Sequence, residues 1–199
     1  WSEKNGMEFV LMLIPNKEHI YSDYMPDGIR EIHKEKNIDL VVDYIRKNSN
    51  VKIVYPKEQL LNKRESQDVF YRYDTHWNDT GAYEGYKCLM DELGIEPLSF
   101  NNMKKIKKDD GDLSNMAMLA GMMEAYDEKF ISYNGTVETL YDDGNGNNAY
   151  QKYRYNSGRG KIFFMGDSFR DALKPMLSRT FEYADFVHRD TEIFNEVLK

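Results

Sequence analysis

The chain has 199 residues, a net charge of −7 and a hydrophobic content of 41%. This length suits one α/β domain, and this apolar content is sufficient to bury a core. The acidic balance argues against nucleic-acid binding, which needs a basic face, and no apolar run is long enough to span a membrane. We therefore expect a single domain over residues 1–199. We expect it to be truncated at the start, because it opens at Trp1 without a methionine, and at the end, because one more core strand is expected after Lys199.

The first half of the chain alternates apolar runs with helical spacing. Continuous apolar runs that stop at a proline, such as the one before Pro15, are typical of buried parallel strands. Strands are predicted over 9–14, 51–55 and 69–73, and helices over 39–48, 57–64 and a segment that Asp79 or Thr80 caps and Gly94 ends.

The second half is less regular. The lysines of the run 104–108 are followed directly by aspartates, and they are predicted to be solvated surface side chains. Asn134-Gly135 predicts a hairpin between 130–133 and 136–141, because this pair tolerates the positive φ angles of a tight turn. Residues 142–160 are rich in Gly, Asn and Asp and are predicted to be a mobile loop. Further elements are predicted as strands 161–165 and 183–187 and a helix over 169–178.

This alternation predicts a three-layer α/β domain with a mostly parallel sheet. In such sheets, active sites lie beyond the carboxyl ends of the strands. Two polar motifs occupy such positions: Asp74 to Trp77 follows one predicted strand, and Gly166 to Ser168 follows another.

Ser168 lies between an apolar strand and a helix, where amide N–H groups can stabilise an oxyanion. The alternative is that Asp167 or Ser168 only caps the helix. His76 differs from the other three histidines in having Asp74 two residues before it. In an extended segment the two side chains point the same way, so the carboxylate can orient the ring. A surface Asp-His pair is the alternative.

Together the motifs predict a Ser168, His76 and Asp74 triad, because serine needs a base to become a nucleophile. Asp-Thr-His-Trp combined with Gly-Asp-Ser resembles the SGNH-hydrolase-like domain of the alginate O-acetyltransferase type (AlgX/AlgJ-like), whose relatives carry an Asp-His-His-Trp version. Ordinary SGNH hydrolases have the two motifs in the opposite order. Looser similarity includes Pro15-Asn16-Lys17 and Gly111-Asp112-Leu113.

The resemblance implies an SGNH-hydrolase-like (flavodoxin-like) fold, a Ser168 nucleophile, a His76 base and an orienting Asp74. It also implies a polysaccharide acceptor, a membrane-bound acyl-transfer protein as acetyl donor, and an extracytoplasmic location with an anchor outside this chain. Trp77 is taken as a substrate-binding residue, and Asn16 and Asn78 are candidates for completing the oxyanion hole. Tyr153 and Arg154, in the predicted loop, could hold a sugar chain.

Three functions remain open from the sequence: a polysaccharide O-acetyltransferase, an acetylesterase with the same triad, and a non-catalytic carbohydrate-binding scaffold. We expect no cofactor and no metal, because no nucleotide motif occurs and His76 and Asp74 have no further ligands at metal-binding spacing.

Overall fold

A computed structural model describes residues 2–29, 36–99, 103–108, 110–122, 124–130, 133, 135–146 and 149–191. The strands are β1 (Val10–Met12), β2 (Lys52–Val54), β3 (Met103–Lys107), β4 (Tyr126–Phe130), β5 (Glu138–Asp142), β6 (Gln151–Arg154), β7 (Lys161–Gly166) and β8 (Tyr183–His188). The helices are α1 (Lys17–Ile20), α2 (Asn37–Asn48), α3 (Lys57–Arg64), α4 (Asp79–Glu92), α5 (Asp112–Met116) and α6 (Lys174–Thr180). None of these helices is long and apolar enough to cross a membrane.

The α/β class is confirmed, but the sheets are mixed rather than mostly parallel. In the described residues β1 pairs with β2 in parallel, β3 pairs with β4 antiparallel, and four strands follow the order β5-β6-β8-β7. Within that sheet only β7 and β8 are parallel, with Gly166 opposite His188 at their carboxyl ends. Ser168 follows β7 by two residues and therefore lies at this edge of the sheet.

The predicted strand 69–73 is wrong. Phe70 forms a single antiparallel bridge with Trp77, and the residues between them turn back on themselves. Phe70 and Trp77 are both buried in the main core, so the apolar signal came from core side chains in a turn. The cap prediction for the following helix was also wrong, because Asn78 is the residue whose side chain accepts a hydrogen bond from Gly81 N, at 3.0 Å.

Two predictions for the second half are corrected, and a third falls largely outside the described residues. In the described residues β4 pairs with β3 and β5 pairs with β6; Ile131, Ser132 and Asn134 of the predicted hairpin lie outside them, so the hairpin stays a prediction. Within the predicted loop 142–160, Gln151–Arg154 forms the strand between β5 and β8. The predicted helix over 169–178 is a 3-10 helix (Ser168–Ala172) followed by α6.

Helix α4 packs closely on the turn that carries His76 because it has glycine at two positions on one face. A Cβ at Gly85 would lie 2.6 Å from the Trp77 ring, and a Cβ at Gly81 would collide with the Val69 carbonyl oxygen. Positions 81 and 85 are four residues apart and so share a helix face. The two glycines allow the helix backbone to approach the turn.

Gly81→Ala should therefore lower the free energy of unfolding by about 1–3 kcal/mol, because the added methyl group meets backbone atoms. Denaturant unfolding measures the change. Gly28→Ala is the control, since Gly28 is exposed and a Cβ there has no neighbour within 4 Å. Equal stability of the two variants would contradict the close approach.

Candidate active site

Asp74 and His76 meet within a tight turn. Tyr71 N donates to His76 O at 3.1 Å, which closes the turn between Phe70 and Trp77. Asp74 Oδ1 accepts a hydrogen bond from the backbone N–H of His76 at 3.0 Å and also lies 2.6 Å from His76 Nδ1. A short polar side chain that binds a backbone N–H two residues ahead is typical of an Asx turn. The turn, and not an extended strand, therefore brings the carboxylate to the ring.

Ser168 lies on the other side of the same imidazole. His76 Nε2 is 2.6 Å from Ser168 Oγ, although the two residues are 92 positions apart. Ser168 is half-buried and is the first residue of the 3-10 helix. Asp167 caps that helix, because its Oδ1 accepts a hydrogen bond from Phe169 N at 3.1 Å. The capping alternative thus applies to Asp167, and the Ser168 hydroxyl faces the histidine.

Trp77 connects the two motifs. Its indole Nε1–H donates to Phe169 O at 3.0 Å, and its ring packs edge-on against the Phe169 ring with centroids 5.7 Å apart. Phe169 also lies against His76, with ring centroids 4.9 Å apart. Trp77 is only 1% exposed, so the expectation that it binds substrate is wrong. It aligns the turn of His76 with the segment of Ser168.

Lys17 holds the turn from the side of the first strand. Its Nζ donates to three backbone oxygens, those of Tyr71 and Arg72 at 2.8 Å and that of Asp74 at 3.0 Å. A turn has carbonyl groups that no strand partner satisfies, and buried polar groups need such donors. Lys17 thereby fixes the backbone on which the Asp74 carboxylate is mounted.

Residues 111–114 hold the turn from the opposite direction. Asp112 accepts hydrogen bonds from Thr75, from the backbone N–H at 2.6 Å and also from the hydroxyl. Leu113 N donates to Tyr73 O at 3.1 Å. A Cβ at Gly111 would lie 2.7 Å from Asp74 Cβ, so this close approach requires glycine. Both segments of looser family similarity therefore contact the Asp74 turn.

The charges around the turn favour an ionised Asp74 and a more basic His76. Burial opposes ionisation of Asp74, but hydrogen bonds from the His76 ring and backbone, together with Lys108, hold its pKa well below the usual range. The hydrogen bond that the His76 ring donates to Asp74 raises the pKa of His76 above its ordinary value, although burial acts in the opposite direction. Burial lowers the pKa of Lys17, against the attraction of Asp74 and Asp112.

Asp74, His76 and Asp112 offer ligand atoms within 4.8 Å of one another and are the one such group in the described part of the chain. Their atoms are already engaged: Asp74 with His76, Asp112 with Thr75, and His76 Nε2 with Ser168. This pattern suits proton transfer between neighbouring groups. The absence of a resident metal remains a prediction.

The other predicted binding residues lie in different places. Asn78 is 1% exposed and is occupied as the cap of α4 and as a donor to Asp68 O at 2.8 Å, so it does not serve the oxyanion hole. Asn16 is exposed beside Lys17, where its amide donates to Glu18 Oε1 at 3.0 Å, and its role in the oxyanion hole stays a prediction. Tyr153 and Arg154 pair with Ala184 and Tyr183, at the amino end of β8. Five residue steps along β7 separate that end from Gly166, roughly 16 Å, so their backbone lies away from Ser168, and their sugar-binding role stays a prediction.

The sequence analysis missed the supporting roles of Lys108 and Asp112. Lys108 was predicted to be a solvated surface residue, but its Nζ lies 3.3 Å from Asp74 Oδ2. Lys104, Lys105 and Lys107 of the same run are exposed, as predicted. No local pattern distinguishes Lys108 from these neighbours, because its partner is 34 residues away.

A family model described as the SGNH hydrolase-like domain of the acetyltransferase AlgX matches residues 3–183. No curated protein sequence shows significant similarity to the chain. Solved structures share the fold at low sequence identity. The chain superposes on a DHHW family protein from Eubacterium siraeum with a TM-score of 0.70 and 16% identity, covering 91% of this chain and 69% of that one.

Two further structures are similar. PatB1 of Bacillus cereus, solved with a sulfonyl adduct, gives a TM-score of 0.65 and 17% identity over 98% of this chain and 77% of that one. The O-acetyltransferase domain of Pseudomonas putida AlgJ gives a TM-score of 0.56 and 16% identity, covering 94% of this chain and 64% of that one. The chain belongs to the family of the SGNH hydrolase-like domain of acetyltransferase AlgX. The resemblance expected from the two motifs is thereby confirmed.

Asp74→Asn should lower the pKa of His76, because it removes the negative charge and hydrogen bond that favour the imidazolium form. A neighbouring carboxylate shifts such a pKa by about one unit or more. Titration of the histidine ring by NMR measures the midpoint. Asp43→Asn is the control, since Asp43 is an exposed residue of α2. An unchanged or higher midpoint in Asp74→Asn would contradict the assigned electrostatics.

Proposed function

We propose that this member of the family is an O-acetyltransferase that transfers acetyl groups to a polysaccharide hydroxyl, with Ser168 as nucleophile, His76 as base and Asp74 as orienting acid. The observation that carries the proposal is the unbroken series Asp74 Oδ1, His76 Nδ1, His76 Nε2 and Ser168 Oγ, with contacts of 2.6 Å on each side of the ring. Contacts this short are within the reach that general-base catalysis needs. The acetyltransferase family supports the reaction class.

In the first step Ser168 Oγ attacks the carbonyl carbon of an acetyl donor. His76 Nε2 takes the hydroxyl proton, and Asp74 stabilises the imidazolium that forms. As the tetrahedral intermediate collapses, the bond to the donor breaks and the leaving group takes the proton from His76. The product is an acetyl ester on Ser168 and a free, protonated leaving group.

In the second step a sugar hydroxyl attacks the acetyl-serine. Neutral His76 takes the proton of that hydroxyl and returns it to Ser168 Oγ as the serine leaves. Water can replace the sugar, and the enzyme would then act as an acetylesterase. The His76 side chain is 29% exposed, so water reaches the base unless an acceptor covers it. This exposure is the observation that keeps hydrolysis as the second candidate.

We infer a membrane-bound acyl-transfer protein as the acetyl donor, as the resemblance to the alginate O-acetyltransferase type implies. We place the protein outside the cytoplasm, in the periplasm or at the cell surface. Asn16, exposed at the start of α1 and next to Lys17, is our candidate for an oxyanion donor. The catalytic roles would then be distributed over the turn of His76, the start of the 3-10 helix and the start of α1.

Ser168→Ala should abolish covalent labelling by a fluorophosphonate or a sulfonyl fluoride, because only an activated serine reacts at a useful rate. Intact-protein mass spectrometry detects the adduct. His76→Gln should reduce labelling nearly as far, and exposed Ser66→Ala should label like the original protein. If the original protein resists both reagents while folded, the non-catalytic scaffold becomes the better description.

An acceptor should divert acetyl groups from water to sugar. With p-nitrophenyl acetate alone we expect slow hydrolysis whose rate rises with pH, with a midpoint above about 6.5, because neutral His76 is the base and its pKa is raised. Adding bacterial exopolysaccharide fragments should then yield acetylated sugar, detected by mass spectrometry. Fast hydrolysis with no acetylated sugar from any fragment would favour the esterase.

A further inference from the structure

We propose that Lys108 is a positioning residue of this site: its ammonium group fixes the second oxygen of the Asp74 carboxylate and offsets the negative charge that acts on His76. The inference rests on the proposed function only for its activity readout. It concerns a residue that follows β3 and is far from both sequence motifs.

The contacts of Asp74 divide between its two oxygens. Oδ1 receives the backbone and ring N–H groups of His76, and Oδ2 lies 3.3 Å from Lys108 Nζ. The carboxylate is therefore held at both ends, which restricts rotation about its χ2 angle. The Asp74 side chain is 13% exposed and that of Lys108 is 28% exposed, so solvent screens this pair less than a surface ion pair.

Tyr71 and the backbone hold Lys108 in this place. Its Nζ lies 3.4 Å from the centroid of the Tyr71 ring, a cation–π geometry. Its backbone N donates to Ala125 O at 2.9 Å, which links it to the residue before β4. The β3–β4 pair thereby places Lys108 beside the turn, whereas Lys104, Lys105 and Lys107 are exposed.

Three carboxylates act on His76. Asp74 lies 2.6 Å from Nδ1, Asp112 lies 3.7 Å from the same nitrogen, and Asp167 acts from the Ser168 side. All three favour the imidazolium, which cannot act as a base. Lys108 places a positive charge behind Asp74, and Lys17 is bound to the backbone oxygen of the same residue. Without the positive charge of Lys108, less of the negative charge of the carboxylates is offset. His76 should therefore keep its proton to higher pH.

The test compares Lys108→Met with Lys108→Arg in the whole chain. We expect the NMR titration midpoint of His76 to rise in Lys108→Met by about half a pH unit or more, and the rising limb of the p-nitrophenyl acetate profile to move with it. Lys108→Arg keeps the charge and should restore both. Lys104→Met is the matched control, because Lys104 is an exposed residue of β3, and it should leave both unchanged.

A role limited to packing predicts a different result. Activity would then fall equally at every pH, the His76 midpoint would stay in place, and the inference would be overturned; an equal shift in Lys104→Met would overturn it as well. Lys108→Gln is a second neutral replacement should the methionine variant fail to fold. A shifted midpoint in a protein whose Ser168 never acylates would support the electrostatic role of Lys108 and count only against the proposed function.

Discussion

The hydrogen bond from the Trp77 indole to Phe169 O joins two segments that are 92 positions apart. Ser168 and His76 each precede one of its two partners by a single residue, so any movement between the segments changes the distance between Ser168 Oγ and His76 Nε2. Trp77 is enclosed by the core and by the glycine face of α4. The relative position of nucleophile and base is consequently set by core packing, which is far stiffer than a loop contact.

The turn that carries Asp74 has little secondary structure of its own, apart from the bridge between Phe70 and Trp77. Its backbone carbonyls are satisfied by Lys17 from one side and by amides of the 111–114 segment from the other. Binding residues are often placed on loops that a rigid scaffold supports. Here the scaffold consists of side chains and amides from distant segments, and each contact also adds charge or dipole next to Asp74.

Features that depend on residues close together in the sequence could be predicted, whereas contacts between distant segments mostly could not. Helix α3 was predicted at its observed bounds, and β7 and β8 to within a residue, because local spacing determines such elements. The meeting of Asp74, His76 and Ser168 was predicted from the motifs, although the extended geometry argued for the first two was wrong. The Asx turn brings the same two side chains together with a different backbone conformation.

Strand pairings and side-chain contacts between distant segments could not be predicted from local sequence patterns. β5 pairs with β6, which lies in a segment predicted to be a loop, because a strand pairs with whichever neighbour the core brings beside it. Trp77 ends the first motif and was expected to bind substrate, and Asn78 follows it and was a candidate for the oxyanion hole. Both residues are buried, and their polar atoms form structural hydrogen bonds instead. Polar groups on buried residues must find partners, and those partners cannot be identified before the fold is known.

Exposure increases along the proposed triad from Asp74 to His76. The Asp74 side chain is 13% exposed and that of His76 is 29% exposed. At the enclosed end, lower screening strengthens the pull of the carboxylate on the ring, which keeps the imidazole oriented. In the proposed reaction, either water or a sugar hydroxyl would reach His76 at the open end once Ser168 is acylated. The proposed triad would activate both nucleophiles in the same way, so selectivity for transfer would have to come from an acceptor that is held in place and displaces water from the open end.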